Sequence, residues 1–185
     1  ANRAGRSLSV FSGTVAAGYT SIEFPLQNGA IDVAAADLDG DGHPDLVALD
    51  DTDNALWIFT GNGTDILATP VSLALGDVPS KVTLSDATGD GLIDAIVTLP
   101  DTQRLMILPN LGLGFQPEIF GAPIYLTLGG SPSDVQAVDL NDDGYPDLAA
   151  TLPTENTLSV LFGRGANQFA RAQQIIVGSE PTRVI

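Results

Sequence analysis

A chain of 185 residues, 44% of them apolar, is long enough to bury a core and too apolar for disorder to be its default state. Its formal charge of −16, from 23 acids against seven Lys and Arg, excludes the clustered cations that grip a phosphate backbone, so no nucleic-acid partner is expected. No cysteine means no disulfide, thiolate metal site or thiol catalysis. Twenty Gly and twelve Pro, spread along the chain, favour many short elements joined by tight turns, an all-β architecture. No apolar run approaches the roughly 18 residues that span a bilayer, so no membrane insertion is expected. The opening "ANRAGRSLSV" lacks a signal-peptide apolar region, and the chain reads as mature or excised.

In chain order, "LSVFSGT" and "SIEFPLQ" read as two strands. A further run leads into "DLDGDGHPDLVAL" at residue 37, followed by "ALWIFTGNG" and "PVSLALG". "DVPSKV" then turns into "DATGDGLIDAIVTL" at 86, with "RLMILPNLG" and "PIYLTLG" after it. "GSPSDV" turns into "DLNDDGYPDLAATL" at 139, with "TLSVLFGRG" and "QQIIVGS", and the chain closes on "SEPTRVI". The acidic loops start 49 and 53 residues apart, and each repeat holds four short strands, A to D, with the loop between A and B. Four strands per 40 to 50 residues is the pattern of a propeller blade, which buries its faces against its neighbours. A sandwich would not require its hairpins to repeat in sequence.

The expected fold is therefore a partial or open β-propeller of four-stranded antiparallel blades, one segment over residues 1–185. Residues 1–29 form a partial blade (strands C and D), 30–77, 78–130 and 131–179 complete blades, and 180–185 the first strand of another, fifteen strands in all. The two ends lack a B strand and cannot make a fourth blade together, so the segment is either cut from a longer propeller or completed by another chain.

Numbered from its first Asp, each loop places oxygen donors at positions 1, 3, 5 and 9. These are Asp37, Asp39, Asp41 and Asp45; Asp86, Thr88, Asp90 and Asp94; and Asp139, Asn141, Asp143 and Asp147. Carboxylates this close repel one another and the chain has few cations to offset them, so a divalent ion is expected. Position 6 is glycine throughout, Gly42, Gly91 and Gly144, where a positive φ lets the chain turn sharply around an ion. Position 7 varies among His43, Leu92 and Tyr145, as it would if only the backbone carbonyl were a ligand. The pattern matches the first half of an EF-hand loop, but position 12 is Ala48, Val97 or Ala150 and a strand follows. Hard oxygen donors favour Ca2+, about three ions, over zinc, copper or magnesium. With four carboxylates the first loop is expected to bind most tightly, and the Thr88 loop least.

Asp-x-Asp-x-Asp-Gly-x-x-Asp in the A–B hairpin, with "FSG" and "LFGRG" after strand C, resembles the FG-GAP/VCBS repeats of integrin α-subunit propellers and many secreted bacterial proteins. The resemblance implies a calcium-binding propeller. It implies an extracellular or cell-surface module with a structural, adhesive or assembly role, partnered by another protein or by itself through incomplete end blades. "FSGT" and "LPNLG" stand where a stricter Phe-Gly-Gly-Ala-Pro would be. A carbohydrate-binding lectin-type propeller and an accessory domain of a secreted hydrolase or lyase are the alternatives. Trp57 has no aromatic counterpart at Met106 or Val160, which counts against the lectin.

No enzyme is expected. The single histidine, His43, sits inside a loop, the single lysine, Lys81, reads as a surface or inter-blade contact, and ten acids stand at ligand positions. Asp50, Asp51 and Asp53 have the composition of a solvated B–C bend. Any ligand would meet the B–C turns "DDTDN", "PDTQR" and "PTENT" or the D–A connections, which the resemblance places opposite the acidic loops.

Overall fold

The computed structural model of the chain describes residues 7–14, 18–26, 29–63, 70–114 and 119–185. Residues 1–6, within the expected first partial blade, lie outside them.

Strands β1 (Ser7–Thr14) and β2 (Gly18–Pro25) pair as a two-stranded antiparallel sheet. Three four-stranded antiparallel meanders follow, each in sequential order. The first holds β3 (Asp32–Ala36), β4 (Asp45–Asp50), β5 (Ala55–Phe59) and β6 (Val71–Ala74). The second holds β7 (Lys81–Ser85), β8 (Asp94–Leu99), β9 (Arg104–Leu108) and β10 (Ile124–Thr127). The third holds β11 (Asp134–Val138), β12 (Asp147–Leu152), β13 (Thr157–Leu161) and β14 (Gln173–Ile176). The one helical element among the described residues is a single 3-10 turn, Pro100–Thr102.

The central strands of the first and second blades read as unbroken apolar runs because both faces of those sheets are covered. Side chains alternate from face to face along a strand. In β8 and β9, Ala95, Val97, Leu99, Met106 and Leu108 pack against Val47, Leu49, Leu56 and Ile58 of the first blade. Their neighbours Ile96, Leu105 and Ile107 pack against Val135, Leu148, Ala150, Leu152 and Leu161 of the third. On the other side of the first blade, Leu8, Val10, Phe24 and Leu26 meet Ala48, Trp57 and Phe59, with Phe24 edge-on to Phe59 at 5.2 Å between centroids. Trp57 is thus half-buried between sheets.

The first strand of each blade faces the first strand of the next. Val82 N–H donates to Asp32 Oδ2 (2.9 Å), Thr83 Oγ1 donates to the Val135 carbonyl (3.1 Å), and Lys81 Nζ lies 3.6 Å from Asp134 Oδ1. Residues 180–185, expected as the first strand of a further blade, form no ladder with the described residues. Val184 N–H nevertheless donates to Asp134 Oδ2 (2.9 Å), as Val82 does to Asp32.

Each B–C turn carries one left-handed residue, Asn54, Gln103 or Asn156 (φ 51, 55 and 56°). Its carbonyl accepts the N–H of Leu75, Leu128 or Val177 at the end of strand D, at 2.8 to 3.0 Å. These turns therefore clamp the outer strand at one end of the blade, and the acidic loops occupy the other.

Candidate metal centre

Each acidic loop is tied by amides donated to its own carboxylates. Asp37 accepts Gly40 N–H (2.8 Å) and Gly42 N–H (2.9 Å), Asp39 accepts Asp41 N–H (3.1 Å), and Asp41 accepts His43 N–H (2.8 Å). In the second loop Asp86 takes the amides of Gly89, Asp90 and Gly91, and Asp90 that of Leu92. In the third, Asp139 takes those of Asn141, Asp143 and Gly144, and Asp143 that of Tyr145. The shared feature is position 6: glycine at φ 87° in all three loops aims its N–H at the second oxygen of position 1. That conformation favours glycine.

Position 9 is fully buried in every loop. Asp45 accepts Leu38 N–H (2.7 Å) and, sixteen residues on, Gly61 N–H (2.8 Å). Asp147 accepts Leu140 N–H (2.9 Å) and Gly163 N–H (2.8 Å). Asp94 accepts three, from Ala87 and Thr88 (both 2.9 Å) and Asn110 (2.8 Å). This carboxylate therefore staples the loop to the end of strand C, and in the first loop it also faces Asp37 and Asp39.

Burial pushes the Asp45 and Asp94 carboxyls above the ordinary aspartate value, against the lowering effect of those amides, and Asp39 and Asp41 push Asp45 further. The exposed Asp139 is held below it, chiefly by the Gly144 amide.

Asp37, Asp39 and Asp45 bring one oxygen each to within 4.8 Å of one another, the one such cluster of three acidic or histidine side chains among the described residues. Asp41 lies outside it. Thr88 and Asn141 stand at position 3 of the other loops, in place of Asp39. Thr88 is buried, and its hydroxyl lies near enough to Asp94 to lower that carboxyl yet forms no hydrogen bond of proper geometry. A buried hydroxyl without a partner is costly and stands where a position 3 ligand is expected. Asn141 remains exposed, with Nδ2 bonded to Asp143 Oδ2 (2.9 Å). Asp50, Asp51 and Asp53 do not converge on a common point.

Two roles escaped the reading of the sequence. Position 7 does more than offer a carbonyl: a Cβ at Gly165 would stand 2.6 Å from the Tyr145 ring, one at Gly112 3.0 Å from Leu92, and one at Gly63 would strike the His43 ring. The side chain of position 7 thus lies across a glycine twenty residues later, which explains the final glycine of "GNG", "NLG" and "GRG". Position 9 likewise needs the amide sixteen residues on. Both offsets are constant although the repeats differ in length, and that constancy is the signal that could have revealed them.

Sheets stacked face to face about their first strands, each with an acidic A–B loop, define a β-propeller repeat protein. The family model for the FG-GAP-like repeat matches residues 37–97 and 86–150, and the chain belongs to that family. No curated protein sequence matches it. Two crystal structures of BBS1N in complex with ARL6DN, soaked with mercury and with lead, superpose with TM-scores of 0.60 and 0.63 at 13% identity. Each match covers 95% of this chain, which spans about half the length of BBS1N (47% and 51%). The Photorhabdus luminescens Tc holotoxin pore matches at a TM-score of 0.51 and 23% identity, over 93% of this chain and 9% of that one. At these identities the likeness shows the fold.

Proposed function

We propose that the chain is a calcium-stabilised propeller module of an extracellular or surface protein, serving structure and protein interaction and carrying no catalytic site. The observation that carries the calcium reading is the convergence of Asp37, Asp39 and Asp45 on one point, while the ion pairs among the described residues go to Asp134 and Asp77 instead. The buried, unbonded Thr88 hydroxyl at the matching place in the second loop supports it.

The residues fit a hard divalent ion. Carboxylate, hydroxyl and amide oxygens at positions 1, 3, 5 and 9 would hold it, with the position 7 carbonyl as a further donor. Its charge would offset the repulsion within each loop. The chain's own part is to orient these oxygens: the amides of positions 4 to 7 fix the exposed carboxylates, and strand C fixes position 9. Because position 9 also belongs to the core, order in the loop is order in the A–B hairpin and hence in blade register.

An interaction role is supported by the resemblance to BBS1N, which is seen in complex with ARL6DN. The B–C turns and D–A connections, away from the acidic loops, are the surfaces we assign to a partner. The test is a calcium titration by calorimetry, with melting curves in calcium and in excess chelator. Heat of binding for about three ions and a melting point several degrees higher in calcium are expected; no binding at millimolar calcium would overturn the reading.

A further inference from the structure

The first and second acidic loops belong to different blades, yet one residue touches the backbone of both. Asn110, 3% exposed at the exit of β9, donates its own N–H to Asp94 Oδ1 (2.8 Å). Its Nδ2 donates to the Leu38 carbonyl (2.7 Å) in the first loop and to the Ile93 carbonyl (3.0 Å) in the second. Its Oδ1 accepts Gly112 N–H (3.0 Å), which fixes the rotation of the amide. At the matching places the other blades have Gly61 and Gly163, which bond position 9 through the backbone but have no side chain to reach a neighbouring loop.

We propose that Asn110 couples the first two loops, so that a divalent cation taken by one raises the affinity of the other. This rests on the calcium reading above. Leu38 lies between Asp37 and Asp39, two of the three converging acids, so holding its carbonyl restricts both. Asp94 is the buried position 9 of the second loop and aligns the Asn110 backbone. A loop that orders Asp94 therefore presents a fixed amide to Leu38, and ordering of Leu38 is returned through the same side chain to Ile93 and Asp94. Each loop lowers the conformational cost of ordering the other, and linkage makes the effect equal in both directions.

The third loop supplies a control. It touches the second by packing, with Pro146 Cδ 3.1 Å from where a Cβ on Gly89 would stand, and no side-chain bridge of the Asn110 kind reaches it among the described residues.

A calcium titration of the whole chain followed by the backbone amide signals of Gly42, Gly91 and Gly144 reports each loop separately. In the native background Asp39→Ala is expected to weaken the second loop about fivefold, at the lower end of measured couplings, and Asp90→Ala to weaken the first by the same factor, with Gly144 unmoved. In Asn110→Gly the two loops should titrate independently, so that neither substitution affects the other loop. Asn110→Ser, too short to reach Leu38, serves as a second variant should glycine unfold the turn. Equal weakening with and without the Asn110 side chain, or none in the native background, overturns the coupling alone. A native chain that takes no calcium overturns the coupling and the calcium reading together.

Discussion

Asp94→Ala separates the two roles of position 9. The substitution removes a fully buried carboxylate that accepts three amides, from Ala87, Thr88 and Asn110. A buried amide left without an acceptor costs about 1–3 kcal/mol. The upper part of that range is offset by no longer burying a charge, the same desolvation that raises the Asp94 carboxyl. Three amides at about 1 kcal/mol give a loss of about 3 kcal/mol, or about 6–12 °C in Tm for a chain of this size. Because the staple needs no ion, the loss should persist in excess chelator. Asp90→Ala is the contrast: an exposed residue that accepts the Leu92 amide should cost within about 0.5 kcal/mol in chelator while removing the second loop's calcium-dependent gain. Urea and thermal unfolding of both variants, with calcium and with chelator, test the pair. If Asp94→Ala in chelator melts within about 2 °C of the native chain, the stapling argument fails.

Burial raises Asp45 and Asp94, so the ion-free fold binds protons more tightly there than the unfolded chain does; their contribution is fully present below the ordinary aspartate value and is lost as pH rises through the raised values. On the calcium reading protons and the ion would compete for these oxygens, so the calcium-induced rise in Tm should shrink as pH falls from neutral through the raised values, and a constant rise would contradict the assignment. Gly163→Ala drives a Cβ into the Pro146 carbonyl and should cost more than about 2 kcal/mol by urea unfolding, whereas Gly178→Ala, with open space around it, serves as the neutral control. Asp50 is fully buried with Oδ1 accepting the amides of Thr52 and Asp53 and Oδ2 unpartnered, where the other blades have Leu99 and Leu152. Asp50→Asn keeps an oxygen for the turn but puts an NH2 where Oδ2 has no partner, so melting should show no gain and a loss of about 1 kcal/mol or more.

The propeller was legible because its blades repeat and because strands buried on both faces leave long apolar runs such as "AIVTL" and "LAATL". The loops were legible because their own spacing closes the local turn: Asp37 to Gly42 is one hydrogen-bonded unit. What lay hidden depends on residues brought together from afar. Neither the glycine beneath Tyr145 nor the amide that meets Asp147 is visible until strand C is folded back on strand B. Asn110 lies within "LPNLG" with no local pattern to single it out, because its partner Leu38 lies 72 residues away in another blade. The closing residues 181–185 had a strand-like sequence, but a strand is defined by a partner that pairs with it along a ladder.

The different demands on positions 3 and 9 follow from what each touches. Position 9 sits between two or three buried amides, and only a carboxylate can accept them all while presenting oxygen to the loop, so it is Asp in all three blades. Position 3 has no such duty, and Asp39, Thr88 and Asn141 each retain an oxygen there. Substituting Thr for Asp removes a charge from the second loop, but Thr88 is also the most buried of the three, packed beside Tyr145, Pro146 and Gly163 of the next blade. A hydroxyl buried there has already lost its water, so on the calcium reading an ion would meet a site with less desolvation left to accomplish. Electrostatic attraction is also screened less in a buried site. On the calcium reading the first loop would draw on charge and the second on burial.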